Sequence, residues 1–113
     1  MSQSQIEEIE LNIEQAKSFV EQGRALERLY GNPDFRKIIG EGFLEKEAVR
    51  LVHLKSDPSM QSEEMQREIV KQIDSIGCLT HYFRMVAHQK MLAEKAIEED
   101  ERTREELLEE GLE

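Results

Sequence analysis

The stretch IVKQIDSIGCLTHYFRMVAHQKMLAEKAI, Ile69 to Ile97, decides the fold. Ile69, Ile76, Leu79, Phe83, Val86, Ala93 and Ile97, with Met65 ahead of them and Ile73 beside them, recur at helical spacing. Such a seam is the mark of a helix that packs on other helices. At about 100° per residue, a second apolar group, Cys78, Tyr82, Met85, Leu92 and Ala96, lies next to the seam. Together the two groups cover well over half of the helix circumference, which is the pattern of a helix buried against several neighbours. The sequence predicts one long helix over about 60–97, with part of its apolar surface covered by another subunit.

Working outward, Ser56-Asp57-Pro58-Ser59 breaks the chain before that helix, because a residue preceding proline avoids helical geometry. Upstream, LEKEAVRLVHLK (Leu44–Lys55) puts Leu44, Ala48, Leu51 and Val52 on one side of a helix over about 43–56. Asn32 can cap a short helix over about 33–39 that opens with Pro33, a residue suited to the first helical position. Gly40 and Gly42 then read as a hinge, since glycine mainly supplies backbone freedom. The first helix, about 4–30, starts at a Ser4/Glu7 capping box. Its seam is Ile6, Ile9, Ile13, Ala16 and Val20; past Gly23 the stripe shifts to Phe19, Leu26, Leu29 and Tyr30. Gly31 would end it as a left-handed cap.

Too few aromatic and β-branched residues alternate with polar ones to draw a strand, and Pro occurs only twice. The expected fold class is therefore all-α: a helical hairpin or small bundle with one long C-terminal helix, completed by self-association. Residues 1–97 read as a single domain. Residues 98–113 form an acidic C-terminal tail, helical or frayed, in which Leu107, Leu108 and Leu112 can make a small docking point.

The net charge of −10 is unevenly spread. Residues 98–113 carry 9 acidic and 2 basic side chains, whereas 31–58 and 59–97 each carry 5 of either sign. The body is nearly neutral. Without clustered Lys and Arg, direct nucleic-acid binding is disfavoured. No run approaches the about 18 apolar residues of a membrane span, and MSQSQIEEIE has neither the basic start nor the apolar core of a signal peptide. A lone cysteine, Cys78, fits a reducing compartment. The expected location is cytoplasmic.

Candidate chemistry is sparse. Gly40-Glu41-Gly42 lacks the preceding strand and complete motif of a phosphate loop, although Lys46 and Arg50 place positive charge near it. His81 and His88 are seven apart, too far to grip one metal from a single helix, where ligands at i and i+4 are needed. Cys78 belongs to the apolar set and reads as a buried structural thiol. Carboxylate pairs such as Glu63/Glu64 sit in polar runs at helix starts, where they favour the positive end of the dipole. No catalytic residue, metal or cofactor is expected. His81, Arg84, His88 and Lys95 share one stripe opposite the seam, either a solvated face or a contact for an anionic partner.

The run ALERLYGNPDFRKIIGEGFLEKEAVRLVHLKSDP (Ala25–Pro58), followed by IDSIGCLTHYFRMV (Ile73–Val86), resembles small helical proteins that tailed bacteriophages encode near their capsid and portal genes. Ser75 stands where that pattern has alanine. The resemblance covers about half the chain, holds no catalytic signature, and implies a virion-associated or assembly role in the host cytoplasm or the virion. The leading expectation is thus a non-enzymatic assembly protein whose partners are itself or a larger protein complex, with Ile76, Leu79, Phe83, Val86 and Ile97 as the self-association face. The alternatives are an acidic phage-encoded inhibitor of a host protein, anti-defence or DNA-mimic-like in kind, and a binder of small anionic ligands.

Overall fold

In the computed structural model, which describes residues 2–112, the chain is all-α. Helix α1 spans Ser2–Tyr30 and α2 is the single turn Pro33–Phe35. A π-helix, Arg36–Lys46, leads without a break into α3, Glu47–Ser56. A 3-10 turn, Pro58–Met60, precedes α4, Glu63–Leu112. No described residue lies in a strand. No helix is long and apolar enough to cross a membrane among the described residues.

Helix boundaries follow local chemistry. The Asn32 Oδ1 accepts from the Asp34 N–H at 2.8 Å and the Phe35 N–H at 3.2 Å, capping α2 ahead of Pro33. Asp57 is extended, and its carboxylate accepts from the Ser59 N–H and hydroxyl, both at 2.8 Å. Those two donors, the backbone one first, hold the Asp57 carboxyl below its ordinary range. The Ser62 hydroxyl accepts from the Met65 N–H and starts α4.

Several expectations are corrected. Ser4 is not a cap, because α1 already includes Ser2. Gly31 ends α1 without a left-handed conformation: its N–H is shared between the carbonyls of Glu27 and Arg28, and no glycine has positive φ. Gly40 and Gly42 are not a hinge. They lie inside the π-helix, where the Glu47 N–H donates to the Gly42 carbonyl five residues back. The two separate helices expected over 33–39 and 43–56 are therefore one continuous helical run. Residues 98–112 take the helical of the two states expected for the acidic tail and continue α4.

Two compact units divide the chain, residues 27–84 forming one and the stretches 2–26 and 85–112 the other. The core of the first is Leu51, fully buried, with Ile69 and Ile76. Phe43, Leu44, Ala48, Leu54, Met60 and Ile73 pack against it. Nearby, Tyr30 meets Phe35 and Phe83 edge-on at ring distances of 5.2 and 5.9 Å.

The second unit is an antiparallel pair made from α1 and α4. Ile13, Val20, Val86 and Ala93 are buried there. Gly23 is buried too, and a Cβ on it would lie 2.5 Å from Lys90 Cβ. The Lys90 stem crosses α1 at this glycine and ends in an ion pair with Glu94 at 2.8 Å, which draws the Glu94 carboxyl below its ordinary range. In the register set by that crossing, half-buried Ile6 stands level with half-buried Leu107. Leu108 is exposed, so the docking point expected in the tail reduces to Leu107; the Leu112 side chain lies outside the described residues.

Candidate functional site

The seam expected to mediate self-association turns inward. Ile76 belongs to the core with Leu51, Val86 is 4% exposed, and Phe83 packs with Tyr30 and Phe35. Leu79 and Ile97 are half-buried. The chain's own helices cover most of this face, so it is not the free surface that the periodicity suggested. What stays exposed on α4 is the second apolar group: Cys78, Tyr82, Met85, Leu92 and Ala96. Cys78 is accordingly not the buried thiol expected.

In the α1/α4 pair, part of that second group lines a groove of about 350 Å³. Ala16 and Phe19 come from α1, and Leu92, Ala93 and Ala96 from α4. Their spacing along each helix is that of one face. Phe19 is 41% and Leu92 50% exposed, although both are large apolar side chains. The remaining lining residues are the amides Asn12, Gln15 and Gln89. None of the lining side chains is charged, in a chain whose residues are 35% charged.

A second groove in the same pair has the opposite character. It encloses about 490 Å³ and is lined by Lys17, Glu21, Arg24 and Glu94 around Val20 and Ile97. Lys17 pairs with Glu14 at 3.2 Å, and Arg24 adds to the positive potential that lowers the Glu94 pKa. Charged side chains line one groove of the pair and none lines the other.

The basic stripe is exposed throughout. His81 and Arg84 fall in the unit of residues 27–84, His88 and Lys95 in the other. Arg84 lines a groove of about 420 Å³ with Arg36, Glu41 and Glu45 of the π-helix, together with Tyr30, Gly40, Leu44 and Thr80. Arg36 carried no distinguishing sequence signal, because the π-winding that puts Glu45 on its face departs from α-helical spacing. Arg50 is committed elsewhere: its guanidinium holds the Glu47 carboxylate with two hydrogen bonds, which lowers the Glu47 pKa and leaves Arg50 poorly placed for a free anion. No cluster of three or more His, Cys, Asp or Glu able to hold a metal occurs among the described residues. Comparison with protein families, characterised proteins and solved structures finds no match for this chain.

Proposed function

We propose that the protein is a non-enzymatic helical interaction protein that self-associates through the uncharged groove of the α1/α4 pair. The observation that carries the reading is the groove's lining: Phe19 and Leu92 half-exposed beside Ala16, Ala93 and Ala96, with the amides Asn12, Gln15 and Gln89 as its polar groups. Small residues let a partner helix approach closely, and covering the exposed half of the two large side chains would contribute about 1 kcal/mol each. A second copy is a fitting occupant. Two-fold pairing brings the same patch onto itself, and an uncharged patch avoids the like-charge repulsion that a chain of net charge −10 otherwise meets. The product would be a four-helix packing of two α1/α4 pairs.

The resemblance to small phage proteins extends this proposal to particle assembly, with copies of the chain docking on each other or on a larger complex. The test is solution mass by size exclusion with light scattering, on the wild type and on Leu92→Glu. A concentration-dependent oligomer that Leu92→Glu converts to monomer supports the reading. A wild type that stays monomeric to millimolar concentration sinks it. Circular dichroism of the variant checks that it remains helical.

A further inference from the structure

The uncharged groove of the α1/α4 pair has two distinct ends. Order along it is fixed by chain order within each helix and by the crossing at Gly23, where an added Cβ would lie 2.5 Å from Lys90 Cβ. In that antiparallel register Ala96 stands level with Lys17, Leu92 with Glu21 and Gln89 with Arg24. From the N-terminal side of α1 the lining therefore runs Asn12 and Gln15, then Ala16 and Ala96, then Phe19, Ala93 and Leu92, and last Gln89. The distance from Asn12 to the level of Gln89 is about 18 Å, at about 1.5 Å of rise per residue. Amides stand at both ends and apolar side chains fill the stretch between, with Phe19 near the middle.

Charge divides the same unit along its length. Beyond Asn12, Glu7, Glu8 and Glu10 lie on α1, and residues 98–112 of α4 hold 8 acidic and 2 basic side chains. Around Gln89, residues 21–26 and 85–91 hold one carboxylate, Glu21, against Arg24, His88 and Lys90. One end of the helix pair is strongly negative and the other is not.

Two copies meeting on this groove can lie parallel or antiparallel. Parallel copies set each amide on its own twin. Antiparallel copies set Gln89 on Asn12 and Gln15 of the partner subunit, because the two amide ends are about equally far from Phe19. Amides donate and accept, so both arrangements satisfy them. The charges decide between the two. Parallel copies lay their acidic ends side by side at a helix-packing distance of about 10 Å, close to the Debye length of about 8 Å at physiological salt, so repulsion is felt. Antiparallel copies hold those ends about 40 Å apart, where it is screened. We infer that the copies pair antiparallel, about a two-fold axis perpendicular to the helices at the level of Phe19, with Gln89 against Asn12 and Gln15 of the partner subunit. This orientation rests on the self-association proposed above and gives it a self-complementary contact of the isologous kind.

The test uses the full-length protein in two arms. In the first, a spin label is attached at Gln5→Cys in a Cys78→Ser background; both positions are exposed and neither lines the groove. Antiparallel copies put the two labels about 40 Å apart, and parallel copies under about 20 Å. In the second, Gln15→Glu is combined with Gln89→Lys. Antiparallel copies bring each new cation against a new carboxylate of the other copy, twice over by symmetry. The double variant should then associate about tenfold or more tightly than the two single effects together allow. Parallel copies would set like charges on each other at both ends, and the double variant would fall below either single one. A short label distance, or a double variant weaker than both singles, overturns the orientation and leaves self-association standing. A wild type that is monomeric by light scattering, or an oligomer that Leu92→Glu leaves intact, overturns both.

Discussion

Replacing Gly40 and Gly42 by alanine, one at a time, distinguishes a π-helix from a flexible joint. Neither glycine has positive φ, so neither is kept for a conformation that alanine avoids. In a helix interior alanine is favoured over glycine by about 0.5–1 kcal/mol. At Gly40 a new Cβ would find only Tyr30 Cε1 at 3.8 Å, an ordinary contact, so Gly40→Ala should stabilise by about that 0.5–1 kcal/mol. At Gly42 the new Cβ would lie 2.9 Å from the Lys37 carbonyl oxygen, five residues back in the π-winding. That oxygen is backbone and cannot swing aside. Relieving the clash means deforming the π-turn, at a cost of the order of overpacking, about 1–3 kcal/mol.

The propensity gain offsets part of this, leaving Gly42→Ala neutral to destabilising by about 2 kcal/mol. The difference between the two substitutions is therefore the quantity to measure. It should reach about 1–3 kcal/mol, seen in urea as midpoints moving in opposite directions at constant slope. If Gly42→Ala stabilises as much as Gly40→Ala, no carbonyl stands beside Gly42 and the π-winding is wrong. If both destabilise, the two glycines are a hinge after all.

Gly23→Ala should cost about 1–3 kcal/mol, because the added methyl meets Lys90 Cβ as well as its outer carbons, and Lys90→Ala should rescue it only in part; thermal unfolding of the single and double variants checks both. Leu51→Ala, at the one fully buried large side chain among the described residues, should cost about 2–5 kcal/mol, and a loss below 1 kcal/mol would mean the site collapses without a cavity. Asp57 has its pKa lowered by folding, so its contribution is present above the ordinary carboxylate value and is lost as pH falls through the lowered one. The stability gap between wild type and Asp57→Asn should then be full at neutral pH and close on acidification; a gap that ignores pH in a melting series would refute the cap.

Periodicity made α4 legible because a helix seam repeats in sequence whatever covers it. It could not say which of two adjacent apolar groups the chain would cover itself. Ile76, Phe83 and Val86 are met by Leu51, Tyr30 and Phe35 or by α1, and the neighbouring group with Leu92 is left over. Asn12, Gln15 and Gln89 gave a usable signal that charge-seeking overlooks: uncharged polar residues sharing a helix face with Phe19 and Leu92 in a charge-rich chain. The π-helix left no such trace. Glycines in helix-forming sequence read as a break because their common use is freedom, whereas Gly42 serves close approach of its own backbone. Arg36 stayed invisible for the same reason, since 3.6-residue geometry turns it away from Glu45.

Ionic strength separates the uncharged groove from the other surface that could join copies of this chain. Residues 98–113 carry a net −7, and a neighbour's His81, Arg84, His88 and Lys95 offer them exposed positive charge. If that pairing drove association, salt would weaken it, because exposed ion pairs are screened once the Debye length falls to about 10 Å or below. Association through Phe19 and Leu92 has no ion pair to screen. What salt screens there is the mutual repulsion of two chains of net charge −10, so the complex should hold or tighten as sodium chloride rises from about 0.05 to 0.5 M, a range over which screening becomes nearly complete at the separations involved. Sedimentation equilibrium across that range gives the answer directly. A dissociation constant that rises tenfold with salt would assign the contact to the tail and the stripe and remove the groove from it, whereas one that stays level or falls leaves the uncharged face as the surface on which copies meet.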